Sequence, residues 1–156
     1  MKTLPALLLA AALCAASLAA PSPAAAQEAM DPAQVRAIEA VAYDYLDGQL
    51  EGDPARVARA LHPDLAKRAV KVRPDADEPL GLRRMSRDEL VELTREGVLK
   101  TPREQWNRSV KVLDIAGNIA VARVETPWFV DYFHLGRFGD RWVIVNALYY
   151  PKPRNG

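Results

Sequence analysis

Residues 129–150 read FVDYFHLGRFGDRWVIVNALYY. Apolar side chains run on either side of a single Gly139-Asp140 turn. That is the pattern of a β-hairpin, with strands from Trp128 to Phe138 and from Arg141 to Tyr149. Asp131 and His134 stand in its first half and Asn146 in its second. Successive strand residues face opposite sides of a sheet. Phe129, Asp131, Phe133 and Leu135 therefore share one face, and Val130, Tyr132, His134 and Phe138 share the other. On the return strand the same alternation groups Trp142, Ile144, Asn146 and Leu148 against Val143, Val145, Ala147 and Tyr149. Asp131 and His134 point apart and form no dyad. Both faces are apolar, which fits helices on one side and a second subunit on the other. Tyr132, Tyr149 and Tyr150 would supply the outer surface of such a homodimer.

Working outward, Ser109 to Ile115 and Ile119 to Glu125 alternate with period 2 around Ala116-Gly117-Asn118, and Pro127 ends the run. Upstream of Asn107 the period becomes 3.6. Asp31-Pro32 is a helix start, with a capping side chain and proline at the first helical position. Val35, Ile38, Ala42, Tyr45 and Gln49 follow at helical spacing for about five turns, with Gly48 weakening the end. Asp53-Pro54 repeats the signal for a short second helix, which His62-Pro63 should stop. Lys67 to Arg73 alternates weakly as a short strand, and PDADEPLG is a polar loop. Ser86 and Glu89 form a capping box that opens a third helix ending near Val98. KTPREQW reads as a connection. Three helices followed by a meander of four or more antiparallel strands define an α+β class.

The N-terminus predicts the compartment. Lys2 precedes an apolar Leu/Ala run to Ala20, and Ala24-Ala25-Ala26 forms a small-x-small site. This is a secretory signal, cleaved after Ala26, with a periplasmic or secreted destination and no membrane association after cleavage. Cys14 lies in that segment behind Leu13, so it is no lipidation site, and the mature chain has no cysteine. Residues 27–156 form one domain of ordinary size. Without Lys2 the chain carries 20 basic and 20 acidic residues, a balance that argues against nucleic acid as a partner. The basic stretches LAKRAVKVR and GLRRMSR read as a solvated rim. No nucleotide loop, nucleophile elbow or metal-ligand spacing is present, so no cofactor or metal is expected.

Four segments occur in a characteristic order: YDYLDGQLEGDPARVARALHPDL, LRRMSRDELVELTREG, SVKVLDIAGNIAVARVET and the hairpin. Together, from about Asp31 to Pro151, the chain resembles the putative lumazine-binding family of the nuclear transport factor 2-like superfamily. The resemblance implies a cone in which a curved antiparallel sheet wraps the first helix and a pocket opens at the wide end. Relatives with this fold include isomerases, dehydratases and non-catalytic binding or dimerisation domains, so fold alone does not assign function.

Within that frame Asp131 is the sharpest candidate. A carboxylate among Phe129, Phe133 and Leu135 is costly to bury unpaired. Its pKa should rise toward general acid–base use, unless Asn146, a tyrosine or backbone N–H groups satisfy it. Tyr45 lies on the inward face of the first helix, its hydroxyl within reach of the pocket, and Tyr43 is rotated away to the rim. The resemblance implies that His62 lies near the pocket mouth, opposite Asp131. Trp106, Trp128 and Trp142 read as core or pocket wall, with Trp142 clamping the sheet onto the helices. The expected pocket is lined by Tyr45, His62, Phe129, Asp131, Phe133, Trp142, Ile144 and Asn146. The expected function is an exported domain that holds a small apolar or aromatic ligand. The alternatives are a cofactor-free isomerase or dehydratase using Asp131 and His62, and a structural or dimerisation domain with a filled cone.

Overall fold

The computed structural model describes residues 30–70 and 81–153. Residues 1–29, which hold the expected leader, residues 71–73 of the expected short strand and most of the PDADEPLG loop lie outside them. The described elements are α1 (Pro32–Glu51), α2 (Pro54–Ala60), β1 (Leu61–Val70), β2 (Leu82–Met85), α3 (Arg87–Arg95), a 3-10 turn (Arg103–Gln105), β3 (Ser109–Ala116), β4 (Ile119–Glu125), β5 (Phe129–Phe138) and β6 (Arg141–Pro151).

The six strands form one sheet in the order β2-β1-β6-β5-β4-β3. Neighbours pair antiparallel except β1 with β6, which run parallel. The meander β3 to β6 is as the alternation predicts; β1 and β2 extend it. Helix two stops at Ala60 rather than His62, and the chain passes directly into β1 with His62 and Pro63 inside the strand.

Each helix start is made by the residue expected. Asp31 accepts from the Ala33 N–H, Asp53 from the Arg56 N–H and Ser86 from the Glu89 N–H. Helix α1 ends at Gly52 with φ 75°, the left-handed conformation that glycine adopts without steric cost. After α3 the Val98 N–H returns to the Leu93 carbonyl over Gly97, also left-handed.

Gly48 does not end its helix; it lets two helices touch. A Cβ there would stand 2.9 Å from Val57 Cγ2 and 3.1 Å from the Val57 backbone nitrogen. Gly48→Ala gains about 1 kcal/mol of helix propensity, but the crowding costs about 1–3 kcal/mol. Because one blocking atom is backbone, the variant should be the less stable protein in urea unfolding. A raised midpoint would show that α2 can move aside.

The same helix pair is laced by arginines. Arg56 donates to Asp44 at 2.8 Å, Glu51 at 2.9 Å and Asp47 at 3.3 Å. Arg108, just before β3, makes two bonds to Asp47 and lies over the rings of Tyr43 and Trp106. Trp106 is therefore neither core nor pocket wall. It is a half-exposed plate under Arg103 and Arg108, with its Nε1–H donated to the Thr101 carbonyl.

The core lies between the inner face of the sheet and α1. Ile38, Ala42, Tyr45 and Leu46 meet Ala122, Val124, Phe133, Leu135 and Ile144. The Tyr45 and Phe133 rings pack edge to face, centroids 5.5 Å apart.

Candidate functional site

Along β5 the burial alternates as the sequence predicts. Phe129, Asp131, Phe133 and Leu135 are buried, and Tyr132 and His134 are exposed. The return strand departs from simple alternation. Its register slips between His134 and Leu135, whose partners are Asn146 and Ile144, so Val145 is an extra residue. Trp142 and Ile144 face inward before the bulge, and Ala147 and Tyr149 face inward after it. Asn146 is thereby turned to the outer face, where it pairs with His134 (Nδ2 to Nδ1, 3.0 Å). Three assignments change at this one residue. Asn146 does not line the interior, Tyr149 does not supply the outer surface, and Leu148 joins Tyr132 and Tyr150 outside.

Asp131 finds a partner that the alternation alone did not suggest. It is 0 % exposed, and both its oxygens accept from Lys67 Nζ, at 2.7 and 2.6 Å. Lys67 is 4 % exposed and gives its remaining bond to Tyr45 Oη at 3.1 Å. The stretch LAKRAVKVR is thus no rim at this point. Its described part, Leu65 to Val70, belongs to β1, with Leu65, Lys67 and Ala69 facing in. Lys67 stands opposite Ala147, and Ala147 opposite Phe133. The short side chain of Ala147 leaves room for the lysine stem to reach across β6 to β5. Three aromatic faces surround the ammonium, with centroids at 4.6 Å (Tyr149) and 5.3 Å (Tyr45 and Phe129).

Burial pushes the Asp131 carboxyl above its ordinary range, against the pull of Lys67. Burial also pushes the Tyr45 hydroxyl up. Burial disfavours the Lys67 ammonium, but Tyr45 and Asp131 outweigh it and hold the lysine protonated. The arrangement is a closed ion pair with a phenol attached. It offers no free carboxylate to act as a base.

His62 does not meet Asp131. Its ring stacks on Phe138, centroids 5.2 Å apart, and its Nδ1 accepts from the Asp64 N–H at 3.1 Å. It steadies the start of β1. Phe133, Trp142 and Ile144 are packed core behind the cavity rather than its walls.

The cavity itself, about 450 Å³, opens between α3, β1, β2 and the ends of β5 and β6. Its apolar wall includes Met85, Leu90, Leu93, Trp128, Phe129 and Tyr149. Tyr45, Gln49 and Lys67 contribute polar groups to it. Thr126 sets its edge: the Thr126 Oγ1 accepts from the Trp128 and Phe129 N–H groups across Pro127, aiming both aromatics. Of the expected lining, Tyr45 and Phe129 are present. Sequence reasoning missed Lys67, Gln49 as a lining group, Tyr149 and the α3 leucines. The helical spacing that put Tyr45 and Gln49 on one face was a usable signal. Among the described residues no three His, Cys, Asp or Glu side chains gather in metal-binding geometry. No described helix is long and apolar enough to cross a membrane.

A curved sheet wrapped on a long helix, with a cavity at its open end, defines a nuclear transport factor 2-like α+β domain. Residues 33–150 match the family described as "Putative lumazine-binding", and the chain belongs to that family. Solved structures agree on the fold. A nuclear transport factor 2-like protein of unknown function from Shewanella baltica is 22% identical, with 76% of this chain and 94% of that one covered and a TM-score of 0.63. One from Silicibacter pomeroyi is 18% identical, covering 79% and 100%, TM-score 0.64. A ketosteroid isomerase-like protein from Erwinia carotovora atroseptica is 15% identical, covering 80% and 100%, TM-score 0.51. No curated protein matches the chain.

Proposed function

We propose that this chain is an exported domain that binds a small apolar or aromatic molecule in the cavity beneath α3. The observation that carries the reading is the cavity: about 450 Å³ within a largely apolar wall, whose polar members are Tyr45, Gln49, Lys67, Arg83, Thr94 and Lys152. Membership of a family described by ligand binding supports it. The Leu/Ala leader and its small-x-small site support export. The outer face of the sheet supports a homodimer. Tyr132 and Leu148 are paired across the strands and exposed, and Tyr150 is exposed beside them.

Native mass spectrometry on protein purified from the periplasm of its host tests these together. The expected spectrum is a dimer of chains beginning at Gln27, with one small extra mass per chain. A chain without added mass, whose melting temperature no aromatic compound raises, would leave a scaffold without a ligand.

A further inference from the structure

The charged side chains that line the cavity are Lys67, Arg83 and Lys152, all of them cations. Among the described residues no Asp or Glu side chain lines it. The cations differ in what they can offer. Lys67 is 4 % exposed, and its three N–H groups are spent on the two Asp131 oxygens and on Tyr45. The other polar groups of the inner wall are turned on the protein itself. The Gln49 side chain bonds the Tyr45 hydroxyl, and Thr94 Oγ1 donates to the Leu90 carbonyl at 2.7 Å. The inner wall therefore takes an apolar group and rewards nothing polar. An anion there would lose its hydration beside the buried Asp131 carboxylate.

The mouth is different. Arg83 stands on β2 opposite Ala69, lines the cavity with Met85 and is exposed to solvent. Lys152 follows β6, with β1 between that strand and β2. Its own N–H, donated to the Trp128 carbonyl at 2.8 Å, holds it beside the aromatic wall. Its ammonium bonds Glu125 at 2.7 Å, but Glu125 also takes Arg123 at 2.7 Å, so two cations and one carboxylate leave one net positive charge there. Cations at the rim of an apolar hollow focus a field that draws an anion to the opening. A head group held at the mouth keeps part of its hydration, and a guanidinium can meet an oxyanion through two N–H groups.

We infer that the ligand is an amphipathic anion. Its apolar body fills the hollow between α3 and the sheet, and one carboxylate or similar oxyanion stays at the mouth against Arg83 and Lys152. This rests on the binding reading above and adds the ligand's charge and its direction of entry. The body supplies most of the affinity, and the mouth cations choose among ligands of like body.

Isothermal titration calorimetry of the folded chain at neutral pH tests this with two matched series. One is 2-naphthoate, 2-naphthalenemethanol and 2-naphthylmethylamine; the other is octanoate, 1-octanol and octylamine. In at least one series the carboxylate should bind about tenfold more tightly than the alcohol, and the amine most weakly. Raising salt from about 0.05 M to about 0.5 M should shrink that margin. Arg83→Gln should reduce it to about threefold, and Arg83→Gln with Lys152→Gln should remove it. Arg84→Gln, one residue along β2 and outside the lining, is the control and should leave the margin in place. Circular dichroism melting checks folding, and the salt dependence of the parent decides if the double variant does not fold. Equal binding of acid and alcohol, or tightest binding of an amine, would overturn the anionic head and leave the binding reading intact. So would a margin that survives the double variant, or one that Arg84→Gln lowers as much as Arg83→Gln. A folded chain that binds no member of either series would overturn both readings.

Discussion

Lys67→Met will destabilise the domain by about 3–5 kcal/mol, because it leaves the Asp131 carboxyl buried without its cation. Asp131 is 0 % exposed, and Lys67 is its hydrogen-bond partner on both oxygens. The loss should depend on pH in a definite direction. Burial already raises the Asp131 pKa, and Lys67 is what holds it down. Without the lysine the folded-state pKa climbs further above its unfolded value. A group raised on folding contributes stability below its unfolded pKa and loses that contribution as pH rises through the folded one. The variant should therefore be more stable near pH 5 than near pH 8, relative to the parent at each pH. Asp131→Leu added to Lys67→Met removes the orphaned carboxyl and should recover most of the loss. Urea unfolding at the two pH values measures all of this. A pH-independent deficit would mean that the lysine stem, rather than its charge, carries the effect.

Phe133→Ala should cost about 3–5 kcal/mol, the range for emptying a fully buried aromatic site. Phe133 sits in the middle of β5, between Ala122 on β4 and Ala147 on β6, and touches the Tyr45 ring edge to face. Its two strand neighbours are alanines, so little beside it can collapse into the space. The ring also backs Tyr45, whose hydroxyl meets Lys67 at the cavity. Any ligand affinity should fall with the stability, as it would not for an equally destabilising change at Val57 between α1 and α2. Phe133→Leu keeps most of the volume and should lose less than half as much. If Phe133→Ala unfolds at the parent's urea concentration, β5 is not the centre of the core.

The hairpin that opened the sequence shows how far residues alone can be read. Period 2 along Phe129 to Leu135 identified the buried side of β5, Asp131 included, because pleating alone sets that alternation. The same rule failed on the return strand at Val145. A bulge reverses every following side chain, and its position depends on which residues stand opposite. Asn146 was therefore expected beside Asp131 and instead holds His134 on the outer surface. The first strand was legible only in part: its weak alternation was read from Lys67, whereas it begins at Leu61, because His62-Pro63 reads as the stop of a helix. Its parallel partner, β6, lies far along the chain, where no local pattern announces it.

What the sequence determined by itself was the inventory: three capped helices, the meander, the inward faces of α1 and β5, and a carboxylate that burial would make costly. These follow from local rules of backbone geometry, capping and pleat, which act within a few residues. Only the tertiary structure decided which groups satisfy one another. Lys67 and Asp131 are 64 residues apart and meet because β1 lies beside β6 and β6 beside β5. That meeting turns a candidate base into half of an ion pair, with the Tyr45 hydroxyl bonded to the same lysine. A buried charge specifies that a partner is needed; long-range strand pairing specifies which residue it is.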